Sequence, residues 1–285
     1  MTPSLIDIRN LEIAFGGGAV RAVRGISFSL GQEKLGIVGE SGSGKSTVGR
    51  AIMKLLPPTA IVNAERMNFR DVDLMKAGER KMMTIRGRRI GLILQDPKYS
   101  LNPVMRIGEQ IAETYRFHHA KASARQAYQQ TLDMLEAVKI RDPERVARLY
   151  PHEISGGMGQ RVMIAMMLIA EPEVLIADEP TSALDVTVRL EILALLDELV
   201  ARRNLGLIFI SHDLNLVRNF CDRVLIMYAG RVVEVVEARD LDRARHPYTQ
   251  GLLASLPSIE DPPARLPILK RDPAWLSDIA LEQPR

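Results

Sequence analysis

The pattern of apolar and polar positions predicts strands first. In Gly25-Ile26-Ser27-Phe28-Ser29-Leu30, the residues Ile26, Phe28 and Leu30 alternate with small or polar positions, the period of a strand with one buried face. Leu35-Gly36-Ile37-Val38 is a continuous apolar run ending at a glycine, which predicts a buried strand. A helix is expected over 45–56, stopped by Pro57-Pro58. Further runs of buried-strand type occupy 90–94, 174–177 and 207–210. Between about 104 and 149 the pattern is helical and polar, with one clear amphipathic helix over 122–138. Another helix is expected over 185–203, with Ile192, Leu196 and Leu199 on one face. Strands alternating with helices predict an α/β fold with a largely parallel sheet, in which the helical insert forms a subdomain. After about Glu234 the texture changes. Pro257, Pro262, Pro263, Pro267, Pro273 and Pro284 predict an extended tail with little regular structure.

Composition narrows the class. Of 285 residues, 46% are hydrophobic and 26% charged, ordinary values for a globular domain with a substantial core. The longest strongly apolar run, 162–170, is far short of the roughly 20 residues needed to cross a bilayer. The start MTPSLIDIRN has no charged stretch leading into an apolar one, so no secretory signal is expected. A single cysteine, Cys221, excludes disulfide frameworks and cysteine metal sites within the chain. Net charge is +3, and the basic clusters 86–89 and 202–203 read as solvated faces, so no nucleic-acid partner is expected.

Chemistry enters at Gly39-Glu40-Ser41-Gly42-Ser43-Gly44-Lys45-Ser46, followed by Thr47, which fits G-x-x-x-x-G-K-S/T. The glycines let successive backbone N–H groups turn inward around phosphate oxygens. The helix that follows offers orphan N–H groups and about half a positive charge to the anion. Lys45 is expected on the β- and γ-phosphates and Ser46 on Mg²⁺. This loop alone specifies only a nucleotide phosphate. A second signal is Val174-Leu175-Ile176-Ala177-Asp178-Glu179, an apolar strand ending in two acids. Asp178 is suited to hold Mg²⁺, directly or through water, and Glu179 to polarise an attacking water.

Ile154-Ser155-Gly156-Gly157-Met158 lies before a helix and ahead of the acidic strand. It resembles the L-S-G-G-Q signature of ABC ATPases. Ser-Gly-Gly at a helix start is itself an anion site of bare N–H groups and a hydroxyl. The resemblance covers about residues 5–256 and extends to other landmarks. Phe15 is similar to the family's adenine-stacking aromatic, and Gln95 to its Q-loop glutamine, which meets Mg²⁺ and the attacking water. Ser182-Ala183-Leu184-Asp185 resembles the D-loop, and His212 the switch histidine of the γ-phosphate. His118, His119, His152 and His246 match no motif and read as structural or surface.

The resemblance implies an ABC ATPase fold: a P-loop, RecA-like core with an antiparallel β subdomain and a helical subdomain at about 98–165. The ATPase domain is expected over 1–256 and a Pro-rich tail over 257–285. It implies ATP and Mg²⁺ as ligands. It also implies that one chain cannot complete a site, because the phosphate loop of one subunit faces the Ser155-type motif of another. Gln95-Asp96-Pro97, Ser100-Leu101-Asn102-Pro103 and His246-Pro247-Tyr248-Thr249-Gln250-Gly251 resemble the ATPases of dipeptide, oligopeptide and nickel importers. That branch implies two integral-membrane permeases, a second and different ATPase, and an extracytoplasmic solute-binding protein. It places the chain at the cytoplasmic face of the inner membrane, as a peripheral subunit. Peptide cargo is the first expectation and a nickel or metal chelate the second. A soluble, non-transport ABC ATPase is the remaining alternative, disfavoured by the lack of a long heptad or zinc insert between Lys45 and Ser155. Two departures stand out. Gly159 occupies a position where the branch usually has arginine, and the tail lacks the cysteines that many relatives carry.

Overall fold

The computed structural model describes residues 4–97 and 100–256, together with Asp272 and Trp275. The chain divides into two compact units, Met1–Gly78 with Gly206–Arg285, and Glu79–Leu205.

The first unit contains two sheets. Strands β1 (Ile6–Phe15) and β2 (Val20–Leu30) form an antiparallel hairpin in which Ile6 faces Leu30 and Phe15 faces Val20. Strands β4 (Ile61–Asn63) and β5 (Arg66–Phe69) add to β1, and β6 (Val72–Asp73) adds to β5. Alternation decides the buried face, as Ile26, Phe28 and Leu30 all point inward with Ile6, Ile8 and Ile13. The second sheet runs β11-β10-β3-β9 within this unit. Its members are β3 (Lys34–Val38), β9 (Gly206–Ser211), β10 (Arg223–Tyr228) and β11 (Arg231–Glu237). Strand β3 pairs in parallel with both β9 and β10, whereas β11 is antiparallel. Buried on both faces, β3 and β9 are apolar almost throughout, as continuous runs require.

Helix α8 (Leu214–Phe220) lies close over β3. A Cβ at Gly36 would come within 2.3 Å of Val217 Cγ1 and 3.1 Å of Cys221 Sγ, so only glycine permits the approach. Cys221 is buried, and burial pushes its thiol well above the usual range.

Helix α1 (Lys45–Ile52) ends four residues before the expected limit. Lys54 adopts a left-handed φ of 49°, its N–H reaches Ala51 O at 2.9 Å, and the N–H of Leu55 reaches Arg50 O at 2.9 Å. This is a Schellman stop with lysine in the usual glycine place. The Lys54 ammonium then donates to Met75 O at 3.3 Å and Ala77 O at 2.8 Å. Beyond β11 the chain forms two short helical segments joined by a non-helical link over 244–246. A 3-10 turn (Ala238–Arg243) leads to α9 (Pro247–Ala254), which starts with proline at N1 and His246 as N-cap. The expected extended tail falls on residues outside those described, apart from Asp272 and Trp275.

The second unit holds the parallel pair β7 (Ile90–Ile93) and β8 (Val174–Asp178), with Ile90 opposite Val174. Helices α2 (Glu79–Met83), α3 (Ile107–His118), α4 (Ala124–Ala137), α5 (Pro143–Arg148), α6 (Gly156–Leu168) and α7 (Val186–Arg203) complete it. Helix α4 sits where amphipathicity predicts, opened by a Ser123–Gln126 capping box. Helix α7 buries Ile192, Leu196 and Leu199 as expected. The arginine clusters engage the chain itself: Arg89 pairs with Glu173 at 2.6 Å, Arg202 with Glu198 at 2.8 Å, and Arg203 donates to Leu168 O at 3.0 Å. Among the described residues, no helix is long and apolar enough to cross a membrane.

Candidate functional site

In the first unit, β3 runs directly into the loop from Gly39 to Gly44, and α1 begins at Lys45. Backbone packing fixes this loop from several sides. A Cβ at Gly39 would lie 2.1 Å from Met227 O, and one at Gly44, whose φ is +98°, would lie 2.5 Å from Ala22 O. Neither position has room for a side chain. The Gly230 N–H donates to Ser43 O at 3.1 Å, and the Ser43 N–H to Glu40 O at 3.2 Å. The Glu40 N–H donates to the Tyr248 hydroxyl at 3.2 Å.

Lys45 is 5% exposed, low for a lysine, and its burial is compensated by acceptors. Its ammonium donates to Gly39 O at 2.8 Å and Glu40 O at 2.9 Å, so the cation sits inside the loop's own ring of carbonyls. A phosphate oxygen that reaches Nζ meets a charge already positioned. Ser46 and Thr47 are half-buried on the first turn of α1, at a helix N-terminus whose dipole favours an anion. Ser41 and Gly42 are exposed at the loop's crest. Phe15 is half-buried at the end of β1, ahead of the glycine turn Gly16–Gly18. His212 is exposed, one residue after β9.

In the second unit, Asp178 ends β8 at 5% exposure. Glu179 follows with φ +49°, a left-handed conformation that a glutamate side chain seldom takes. Such strain, of order 1–3 kcal/mol, persists where surrounding structure enforces it, and it clusters at functional positions. Here the chain turns at once: the Ser182 hydroxyl donates to Glu179 O at 3.1 Å and the Ser182 N–H to the same oxygen at 3.3 Å. The Glu179 carboxylate lies within reach of a residue that follows β7. There it accepts from Gln95 Nε2 at 3.4 Å, a long contact joining two residues singled out from sequence for handling water.

Ser155 is the N-cap of α6, its hydroxyl accepting from the Met158 N–H at 3.3 Å. A Cβ at Gly157 would lie 2.6 Å from Val188 Cγ1, so this glycine lets α6 press against the start of α7. Gly156 is open, with only Leu184 Cδ2 at 3.9 Å. Asp185 caps α7 by accepting the Val188 N–H at 3.0 Å. The signature glycines and the D-loop cap are thus one packed corner of the second unit. Gly159 is buried, and a Cβ there would only touch Pro97 at 3.5 Å. The missing arginine therefore leaves no void at its Cβ. Sequence reasoning did not assign loop support to Tyr248 or Gly230. The stretch from His246 was read only as a mark of relationship, and nothing local links it to a loop two hundred residues earlier.

Comparison with known proteins agrees with this architecture. The ABC transporter family model matches residues 23–182. The oligopeptide transport ATP-binding protein OppD of Bacillus subtilis (strain 168) is 48% identical over 261 residues, covering 90% of this chain and 73% of that protein. The dipeptide transport ATP-binding protein DppD of the same organism is 45% identical over 261 residues, covering 90% and 78%. Among solved structures, the ATP-binding cassette MJ0796, in a dimeric post-hydrolysis state bound to ADP and Pi, superposes with a TM-score of 0.73 at 26% identity. The match covers 82% of this chain and 99% of that one. The fold is that of an ABC ATPase cassette. The chain belongs to the ABC transporter family, as a nucleotide-binding subunit with ATPase activity.

Proposed function

We propose that this chain supplies ATP hydrolysis to a peptide importer assembled with two permeases, a second ATPase and a solute-binding protein at the cytoplasmic face of the membrane. The observation that carries the reading is the identity of 45–48% along 90% of the chain with oligopeptide and dipeptide transport ATP-binding proteins. Phe15 stacks on the base, the loop 39–47 wraps the phosphates, and His212 meets the γ-phosphate. Glu179 orients and deprotonates the attacking water while Gln95 holds it in place. Ser155, Gly156, Gly157 and Met158, with Asp185, present α6 to the nucleotide of the neighbouring ATPase.

Ser46, Gln95 and Asp178 offer a hydroxyl, an amide oxygen and one carboxylate. This all-oxygen set fits Mg²⁺, which takes one or two carboxylates and completes its shell with water and phosphate. Among the described residues, no group of three or more acidic, histidine or cysteine side chains gathers into a cage of its own. When bound, the ion neutralises phosphate charge.

Each ATP contacts both subunits only when they are closed, and that difference in affinity drives closure. Shifting such an equilibrium from 1:99 to 99:1 takes roughly 5.5 kcal/mol, shared between two nucleotides. The test is reconstitution in vesicles with the permeases, the second ATPase and the binding protein. Phosphate release should rise when the binding protein carries a di- or oligopeptide. Stimulation by a nickel chelate but not by peptides would replace the cargo assignment.

A further inference from the structure

The phosphate loop has an attachment outside its own motif. The Glu40 N–H donates to the phenol oxygen of Tyr248 at 3.2 Å. Tyr248 is fully buried near the start of α9, and its own N–H donates to His246 Nδ1 at 3.1 Å. Its ring lies 4.6 Å from that of Tyr228, centroid to centroid, at an interplanar angle of 47°. Tyr228 sits between the two other holds on the loop. Met227, just before it, provides the carbonyl beneath Gly39, and Gly230, just after it, donates to Ser43 O.

Trp275 lies against three rings of this group, those of Tyr228, Tyr248 and His246. Its ring is 5.6 Å from Tyr228, 5.9 Å from Tyr248 and 5.8 Å from His246, edge-on in each case. Aromatic pairs of this geometry add to the energy of plain burial. One indole from the far end of the sequence therefore braces both the strand end that carries Met227 and the phenol that holds Glu40.

We infer that Tyr248 is a positioning residue for the phosphate loop, and that Trp275 sets ATP affinity by holding the Tyr248 phenol against it. The inference rests on the loop being the phosphate site and goes beyond that assignment. A loop whose N–H groups are aimed beforehand loses less freedom on binding, and affinity rises through that saving. An aromatic cluster with a purely packing role would change the melting temperature and leave the affinity of the folded protein untouched.

The experiment measures ATP binding to the full-length chain by calorimetric titration, with thermal unfolding recorded for each variant. Tyr248→Phe keeps the ring and removes one hydroxyl. It should weaken ATP about two- to tenfold, the range for one neutral hydrogen bond, with little change in melting temperature. Trp275→Ala should weaken ATP to a similar extent, Trp275→Phe should restore it, and the double variant Tyr248→Phe/Trp275→Ala should be no weaker than the weaker single one. Trp275 is the only tryptophan, so its emission in the unmodified chain should change on ATP addition with the calorimetric midpoint. Wild-type affinity in Tyr248→Phe, or a silent indole at ATP saturation, overturns the inference. So do affinity losses that Trp275→Phe fails to restore. Should Trp275→Ala not fold, Tyr248→Phe and the emission titration still decide. Lys45→Ala serves as the control for the loop itself: if it binds ATP as the wild type does, the phosphate-site assignment fails, independently of Tyr248.

Discussion

The loop between Gly39 and Lys45 and the strand end at Asp178 and Glu179 meet the same demand by opposite means. Main-chain atoms provide most of the hold on the loop, with carbonyls of Met227 and Ala22 packed against its glycines and the Gly230 N–H tying Ser43, and the Tyr248 hydroxyl and Lys45 ammonium add side-chain holds. At the strand end Glu179 takes a left-handed φ, its carbonyl is tied down by Ser182, and its carboxylate accepts a long contact from Gln95. Backbone packing leaves little to adjust, which suits the grip on a phosphate that is always in the same place. At Glu179 it is the backbone φ that is strained, and its carboxylate meets the exposed Gln95 through a side-chain contact, which suits the proposed role of a group that acts when a second subunit is engaged. The first region is shaped by close packing, the second by a strained backbone and side-chain contacts.

That contrast predicts where substitutions will hurt. Glu179→Gln should slow steady-state phosphate release by about 10²- to 10⁴-fold while ATP still binds, because the substitution removes the proposed proton acceptor and leaves the phosphate loop intact. A variant with normal turnover would remove Glu179 from the chemistry. Gly39→Ala should do the reverse, abolishing ATP binding in a titration and lowering unfolding free energy by about 2–3 kcal/mol, since its Cβ would meet Met227 O at 2.1 Å. Gly157→Ala should cost about 1–3 kcal/mol in denaturant unfolding through the clash with Val188, and should disturb the signature corner without touching the phosphate loop. Gly159→Ala has room and removes a helix-interior glycine, so it should stabilise by up to about 1 kcal/mol.

The smallest effect is a dependence on pH. Burial holds His246 below its ordinary value of 6.5, opposed by the Glu234 carboxylate, and the neutral ring accepts the Tyr248 N–H among Tyr228, Tyr248 and Trp275. The folded state resists a proton that the unfolded chain accepts. Stability should therefore be highest above pH 6.5 and fall as the pH drops below it. His246→Asn keeps a capping oxygen and should flatten that slope in thermal unfolding. His118, held low by burial and the Arg88 charge, contributes in the same direction, and the paired comparison cancels it.

Periodicity made the core legible because both strand types announce themselves. The run at 35–38 and the alternation at 25–30 each became the strand expected. The loop between β3 and α1, the strand that ends at Asp178 and the helix that starts at Ser155 were readable as local structure, because the motifs that place them need fixed residue types at fixed spacing. What escaped was whatever depends on long-range geometry or on unusual dihedrals. The early end of α1 hangs on a left-handed Lys54, a position where sequence points to glycine. The turn and helix after Glu237 were masked by the prolines beyond them, although Pro247 is a helix-starting proline and not a breaker. The Glu40–Tyr248 bond has no local trace, because its partners lie 208 positions apart.

The lone thiol has a practical consequence. Cys221 is buried at the C-terminal end of α8, and burial pushes its thiol toward the unreactive protonated form. Maleimide dyes or spin labels added to the native fold should ignore it. Reporter cysteines placed at exposed positions outside the phosphate-loop and signature motifs could then be tagged singly without first deleting the natural one.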